Sequence, residues 1–190
     1  MSLVIEVNLI KSVKNLKKLL VDFTEELISD KCWKLSSYLL AEYDYKKLAH
    51  PYNEYWCKFG NNFKESFEKV FFKELIELAG LIRAVLDMHS LVSENYGIVG
   101  KLENDSIKIV NLDYRQSCNK IIHAEYYSIE FEVTNSHPLD NGKNCYNDSK
   151  VSTYKNPIII TEGIYQKKKW KSELSFIKFI DETLNILNER

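Results

Sequence analysis

Residues 62–92 read NFKESFEKVFFKELIELAGLIRAVLDMHSLV, and this stretch decides the fold expected of the whole chain. Phe63, Phe67, Val70, Phe71, Leu75, Leu78, Ile82, Val85 and His89 recur at steps of three and four, the stripe of an amphipathic helix. Asn62 and Glu65 stand at capping-box spacing, which predicts a helix starting at Asn62 and running to about Val92. Toward the N-terminus, Leu9, Val13, Leu16, Leu20, Phe23 and Leu27 repeat the spacing and predict a helix over about Leu9 to Ser29. A second apolar series, Trp33, Leu35, Tyr38, Leu39, Leu40 and Tyr43, predicts another. It ends before His50-Pro51, because a residue that precedes proline disfavours the helical region. The segment from Pro51 to Gly60 then reads as a loop.

On the C-terminal side, Gly97 and Gly100 punctuate the chain and Ile107 and Ile109 alternate briefly with polar residues. Leu112 to Ala124 returns to helical spacing. Tyr126 to Val133 alternates apolar and polar residues and predicts a strand with one wet face. Asn135 to Asn156 is polar and rich in turn formers. Pro157 to Thr161 predicts a second strand and Ile164 to Trp170 a third, and Leu174, Ile177, Ile180, Leu184 and Leu187 mark a closing helix. The expected architecture is therefore mainly α within the α+β class. It is one helical domain over residues 1–190, with a small antiparallel hairpin or sheet at about 126–170, between the Leu112–Ala124 helix and the closing one.

Composition bounds the function. A chain of 190 residues with 45% hydrophobic and 13% aromatic content buries a core without metal or disulfide staples, which excludes disordered and fibrous classes. Lys plus Arg is 26 against 27 for Asp plus Glu, so the net charge of -1 supplies no general field for a polyanion, and any such site must be a local patch. Cys32, Cys57, Cys118 and Cys145 form no C-x-x-C pair or His-Cys ligand set, so no metal or cofactor is expected. Met1 to Asn8 lacks a basic n-region, no stretch approaches a membrane span, and the scattered thiols fit the cytoplasm, where the sequons at Asn104 and Asn147 carry no meaning.

In a chain that mostly uses lysine, Arg83 and Arg115 stand out, because guanidinium binds oxyanions bidentately. Arg115, Asn119 and His123 fall at i, i+4 and i+8, one face of the short helix. A cation, an amide and an imidazole there suit a phosphodiester: Arg115 to neutralise phosphoryl charge, Asn119 to orient, and His123 to move a proton near neutral pH. With RNA the 2′-hydroxyl serves as nucleophile without a metal. The competing reading has Asn119 and His123 bonding locally and Arg115 pairing with a carboxylate of another helix. A second set, Arg83 with His89, reads more simply as an Arg83–Asp87 ion pair at i, i+4 with His89 on the apolar stripe. Lys167, Lys168, Lys169 and Trp170, with Lys120, offer charge beside an aromatic as a single-stranded RNA contact would, and equally suit a solvated turn with Trp170 tucked inward. His50 and His137 each precede proline and read as loop residues.

Arg115, with Asn119-x-x-x-His123 after it, resembles the motif of the HEPN superfamily, closely over about a dozen residues and loosely in helical layout. The resemblance implies a HEPN-like helical bundle and a metal-independent ribonuclease of bacterial phage-defence or toxin–antitoxin systems. It further implies a homodimer with a composite cleft, a possible antitoxin partner, His123 in the family's histidine role and Asn119 at the polar position before it. The match departs at one place: where the family's Arg stands directly before the polar residue, this chain has Cys118. The functional expectation is thus a metal-independent endoribonuclease, with a non-catalytic RNA-binding or protein-interaction module as the alternative.

Overall fold

A five-stranded antiparallel sheet, not a helical bundle with a small hairpin, occupies the centre of the protein, and this corrects the mainly helical architecture expected above. The computed structural model describes residues 22–41, 54–88, 96–105, 107–139 and 153–188. Helix α1 covers 22–41, followed by α2 (Glu54–Met88), β1 (Ile98–Asn104), β2 (Ile107–Asp113), α3 (Tyr114–Ile122), β3 (Tyr126–Thr134), β4 (Tyr154–Tyr165), β5 (Lys168–Ser175) and α4 (Phe176–Asn188). The strand order is β2-β1-β5-β4-β3. Two strands thus precede α3, ahead of the 126–170 window expected to hold the whole β element.

The helices differ from expectation in their limits. Residues 22–41 form one uninterrupted helix through Asp30, where a break was expected; His50 and the expected helical residues 9–21 lie outside the described residues. Helix α2 is already formed at Glu54, so part of the expected loop is helical and Asn62 is an interior residue, not a cap. Its stripe is otherwise as spaced: Phe67, Phe71, Leu75, Leu78, Ile82 and Val85 are buried, while Val70 is exposed. His89 lies outside the described residues.

The sheet buries one face. Cross-strand partners share a face, so Ile129, Ile159 and Leu174 form one row and Tyr127, Thr161 and Ser172 the next. Ile159 and Leu174 join the core with Phe71, Leu75, Leu78, Phe176 and Phe179, and Tyr127, Ile129 and Phe131 pack against it. Thr161 and Ser172 satisfy each other inside, hydroxyl to hydroxyl at 2.6 Å. On the opposite face Lys101, Glu103, Ser128, Glu130, Glu132, Glu162 and Glu173 are exposed, so that side is open among the described residues. Gln166 and Lys167 join β4 to β5 with φ of 50° and 66°, a two-residue turn whose left-handed backbone suits the twist of the hairpin.

Helices α1 and α2 are joined by a polar clamp as well as by apolar contact. Lys31, almost buried, donates to Glu74 at 2.8 Å and to Glu77 at 2.6 Å, and Lys34 donates to the other oxygen of Glu74 at 2.5 Å. Burial opposes the Lys31 charge, but the two carboxylates outweigh it and hold its pKa above the usual 10.5. The hydrogen bonds from Lys31 and then Lys34 hold the Glu74 carboxyl below its ordinary 4.5. A depressed carboxylate stabilises fully above its unfolded pKa and progressively less as pH falls through its folded one. The expected result is that wild type loses stability below about pH 4.5 more steeply than Glu74→Gln, which is already weaker at pH 7; unfolding midpoints across pH 2–7 check this. Parallel curves for the two proteins would contradict the clamp.

Candidate functional site

The topology places the predicted ridge. Strands β2 and β3 lie at opposite edges, so the chain between them must cross the sheet. Four inter-strand spacings are about 19 Å and the nine residues of α3 about 13 Å, so α3 lies across the helix-covered face and makes most of the crossing. Asp113 ends β2 and caps α3, its Oδ1 accepting from the Gln116 amide at 2.7 Å. Tyr114, Ser117, Cys118 and Ile121 point down and are buried. Tyr114 is anchored through its hydroxyl to Thr183 Oγ1 at 2.6 Å. His123 is the C-cap, its amide donating to the Asn119 carbonyl at 3.0 Å.

Each predicted residue then has a defined setting. Arg115 Nη2 lies 2.5 Å from Asp87 Oδ1, and Arg83 Nη2 lies 3.3 Å from Oδ2 of the same carboxylate. Both internal arginines therefore converge on Asp87 and tie α3 to α2. Cys118 is fully buried, and burial pushes its thiol up to about 12, so it stays protonated and unreactive at neutral pH. Asn119 is half-buried and His123 exposed.

Lys120 turns to the sheet, its Nζ 4.1 Å from the Trp170 ring centre, and burial lowers its pKa. Trp170 is 5% exposed and lies across Gly163, its cross-strand partner, where any Cβ would meet the ring. Its faces are closed to a stacking base. Lys167, Lys168 and Lys169 are exposed at the adjoining turn. The structure thus brings Lys120, Trp170 and the three lysines to one end of the sheet, while Arg115 is held on α2. His137 packs edge-on against Tyr154 at 5.2 Å and accepts from the Leu139 amide at 3.2 Å, a local loop contact.

The open sheet face is the feature that the motif search missed. Its rows follow from register: Asn111, Lys101, Glu173, Ile160 and Ser128 in one, with Ser175, Ile158 and Glu130 beside it. A groove of about 730 Å³ runs here, floored by Ile158 and Ile160, flanked by Glu130, Glu132 and Glu173, and rimmed by Lys101, Lys178 and His137. Lys171 pairs with Glu173 at 3.2 Å, and that carboxylate raises its pKa. The signal was present in the sequence as the wet face of the Tyr126–Val133 alternation.

Among the described residues no group of three or more His, Cys, Asp or Glu side chains is disposed to hold a metal ion, and no helix is long and apolar enough to cross a membrane. The fold and site together define an α+β protein with one helix-covered and one open, carboxylate-rich sheet face. No family model, curated protein or solved structure matches this chain.

Proposed function

We propose that this protein is a non-catalytic protein-interaction module whose binding surface is the open side of the sheet. The observation that carries this reading is the groove on that face, an apolar floor flanked by Glu130, Glu132 and Glu173, which suits a protein segment and offers a polyanion no net positive field. The α3 ridge supports it from the other side. Arg115, required as a phosphate ligand, is engaged with Asp87, and the position of the family's Arg is the buried Cys118.

A second reading, metal-independent RNA cleavage by a HEPN-like defence or toxin protein, has one observation in its favour. His123 is exposed just before β3, whose first residue pairs with Glu162 next to the β4–β5 turn. It therefore lies at the end of the sheet that carries Lys167, Lys168 and Lys169, cations near a group able to move a proton. Homodimer and antitoxin partners belong to that reading.

Binding of a labelled single-stranded RNA, followed by anisotropy at low salt, separates the two. The interaction-module reading expects weak binding, unchanged in Arg115→Ala and His123→Ala. Arg115→Ala should cost no more than about 1 kcal/mol of stability, because the Asp87 pair is half-exposed. A loss of RNA affinity of about tenfold or more in either folded variant would favour the RNA reading instead.

A further inference from the structure

We infer that β3 is a docking edge at which a cationic, extended segment of a partner protein adds as a sixth strand; this deepens the interaction-module reading and rests on it. Strand β3 is terminal in the sheet and pairs with β4 over nine consecutive positions, Tyr126 to Thr134, without a register shift. Among the described residues no strand pairs with its outer side. A straight edge of this length presents a row of backbone donors and acceptors ready for another strand. The opposite edge differs: β2 and β1 slip register between Leu102 and Asn104, which bends that edge.

Of the usual protections of an edge, lysine, proline and a bulge are absent from β3, and only acidic charge remains. What it carries is Glu130 and Glu132, both on the open face. Strand β4 adds Glu162 on the same face beside Asn156, Ile158 and Ile160. The two strands nearest the edge therefore hold three carboxylates and no lysine on this side. That pattern chooses the occupant. Two copies of the chain paired antiparallel about the middle of β3 would set Glu130 or Glu132 against a carboxylate of the other copy, and like charges directly opposite each other destabilise a ladder. A foreign strand with Lys or Arg at alternate positions gains an opposite charge where it passes Glu130 and Glu132. On the covered face, half-buried Tyr127, Ile129 and Phe131 leave apolar area at the rim for the residues between those cations. The occupant is thus a protein segment alternating basic with apolar or β-branched residues.

A fluorescent nine-residue peptide alternating lysine and valine is the probe, titrated against the full chain beside its glutamate-valine counterpart. Wild-type protein is expected to bind the lysine peptide in preference to the glutamate one. The Glu130→Lys/Glu132→Lys protein, both changes being at exposed positions, should weaken lysine-peptide binding by about tenfold and reverse the preference. Circular dichroism establishes that the variant is folded. Methylating alternate backbone nitrogens of the peptide, which removes donors but no charge, should likewise abolish binding. Absence of binding to wild type overturns the inference, and so does binding that the methylated peptide retains, since charge alone would then explain it. Failure here leaves a non-catalytic module standing, whereas histidine-dependent RNA cleavage would remove the module reading itself.

Discussion

Phe71→Ala is expected to destabilise the protein by about 3–5 kcal/mol, the range for truncating a fully enclosed aromatic residue. Phe71 has no exposed surface and sits where α2 meets α4, its ring 5.7 Å from Phe67, 5.5 Å from Phe72 and 5.8 Å from Phe176. Three rings and the sheet beneath cannot all close on the space, so both transfer energy and packing are lost. Against the roughly 5–15 kcal/mol that holds a domain of this kind together, the change removes a large part of the total. Urea unfolding monitored by fluorescence should show a much lower midpoint with an unchanged slope. A shift worth less than about 1 kcal/mol would mean that Phe71 is not central to the core.

The second large effect concerns the sheet. Gly100→Ala is expected to cost about 3 kcal/mol, at the upper end of overpacking, because a Cβ there would run into the backbone carbonyl of Glu173 on β5. Gly100 pairs with Leu174, so the clash falls on the seam that joins the β1–β2 hairpin to the β3–β4–β5 meander. A backbone neighbour cannot swing aside as a side chain does. Hydrogen exchange should show early opening of β1 and β2 amides in the variant. Gly80→Ala is the control: Gly80 is exposed on α2, a Cβ there meets nothing within 4 Å, and helix propensity predicts a gain of about 0.5–1 kcal/mol. Equal outcomes at the two glycines would contradict the seam.

What could be read in the sequence follows from how local each signal is. The α2 stripe is local, and Phe67, Phe71, Leu75 and Leu78 are buried as spaced. The alternation of Tyr126 to Val133 is local too, and β3 lies there with its wet face outward. Strands β1 and β2 were missed because Gly97 and Gly100 read as punctuation, while Gly100 is inside β1 at a close approach to β5. The β2–α3 junction has no Gly or Pro to mark it, and Leu112 fits a helical period although it belongs to β2. Asp113 with Gln116 three residues on was the signal that separates them, a capping spacing that the amide bond to Asp113 bears out.

The site was legible to a similar degree. Spacing put Arg115 and Asn119 on one short helix, and α3 carries both, with His123 as its C-cap. Their partners could not be found by spacing: Asp87 is 28 residues from Arg115, and no local pattern encodes that meeting. The open sheet face is likewise a product of register among β1, β5, β4 and β3. Single strands show its charges only as a polar side.

The central proposal, an interaction module and not a nuclease, is tested most directly by incubating an excess of wild-type and His123→Ala protein with mixed-sequence single-stranded RNA in EDTA at low salt and analysing the ends. The account predicts full-length RNA with both proteins. Cleavage by wild type alone, leaving 2′,3′-cyclic phosphate ends, would contradict it and establish His123 as a proton-transfer group.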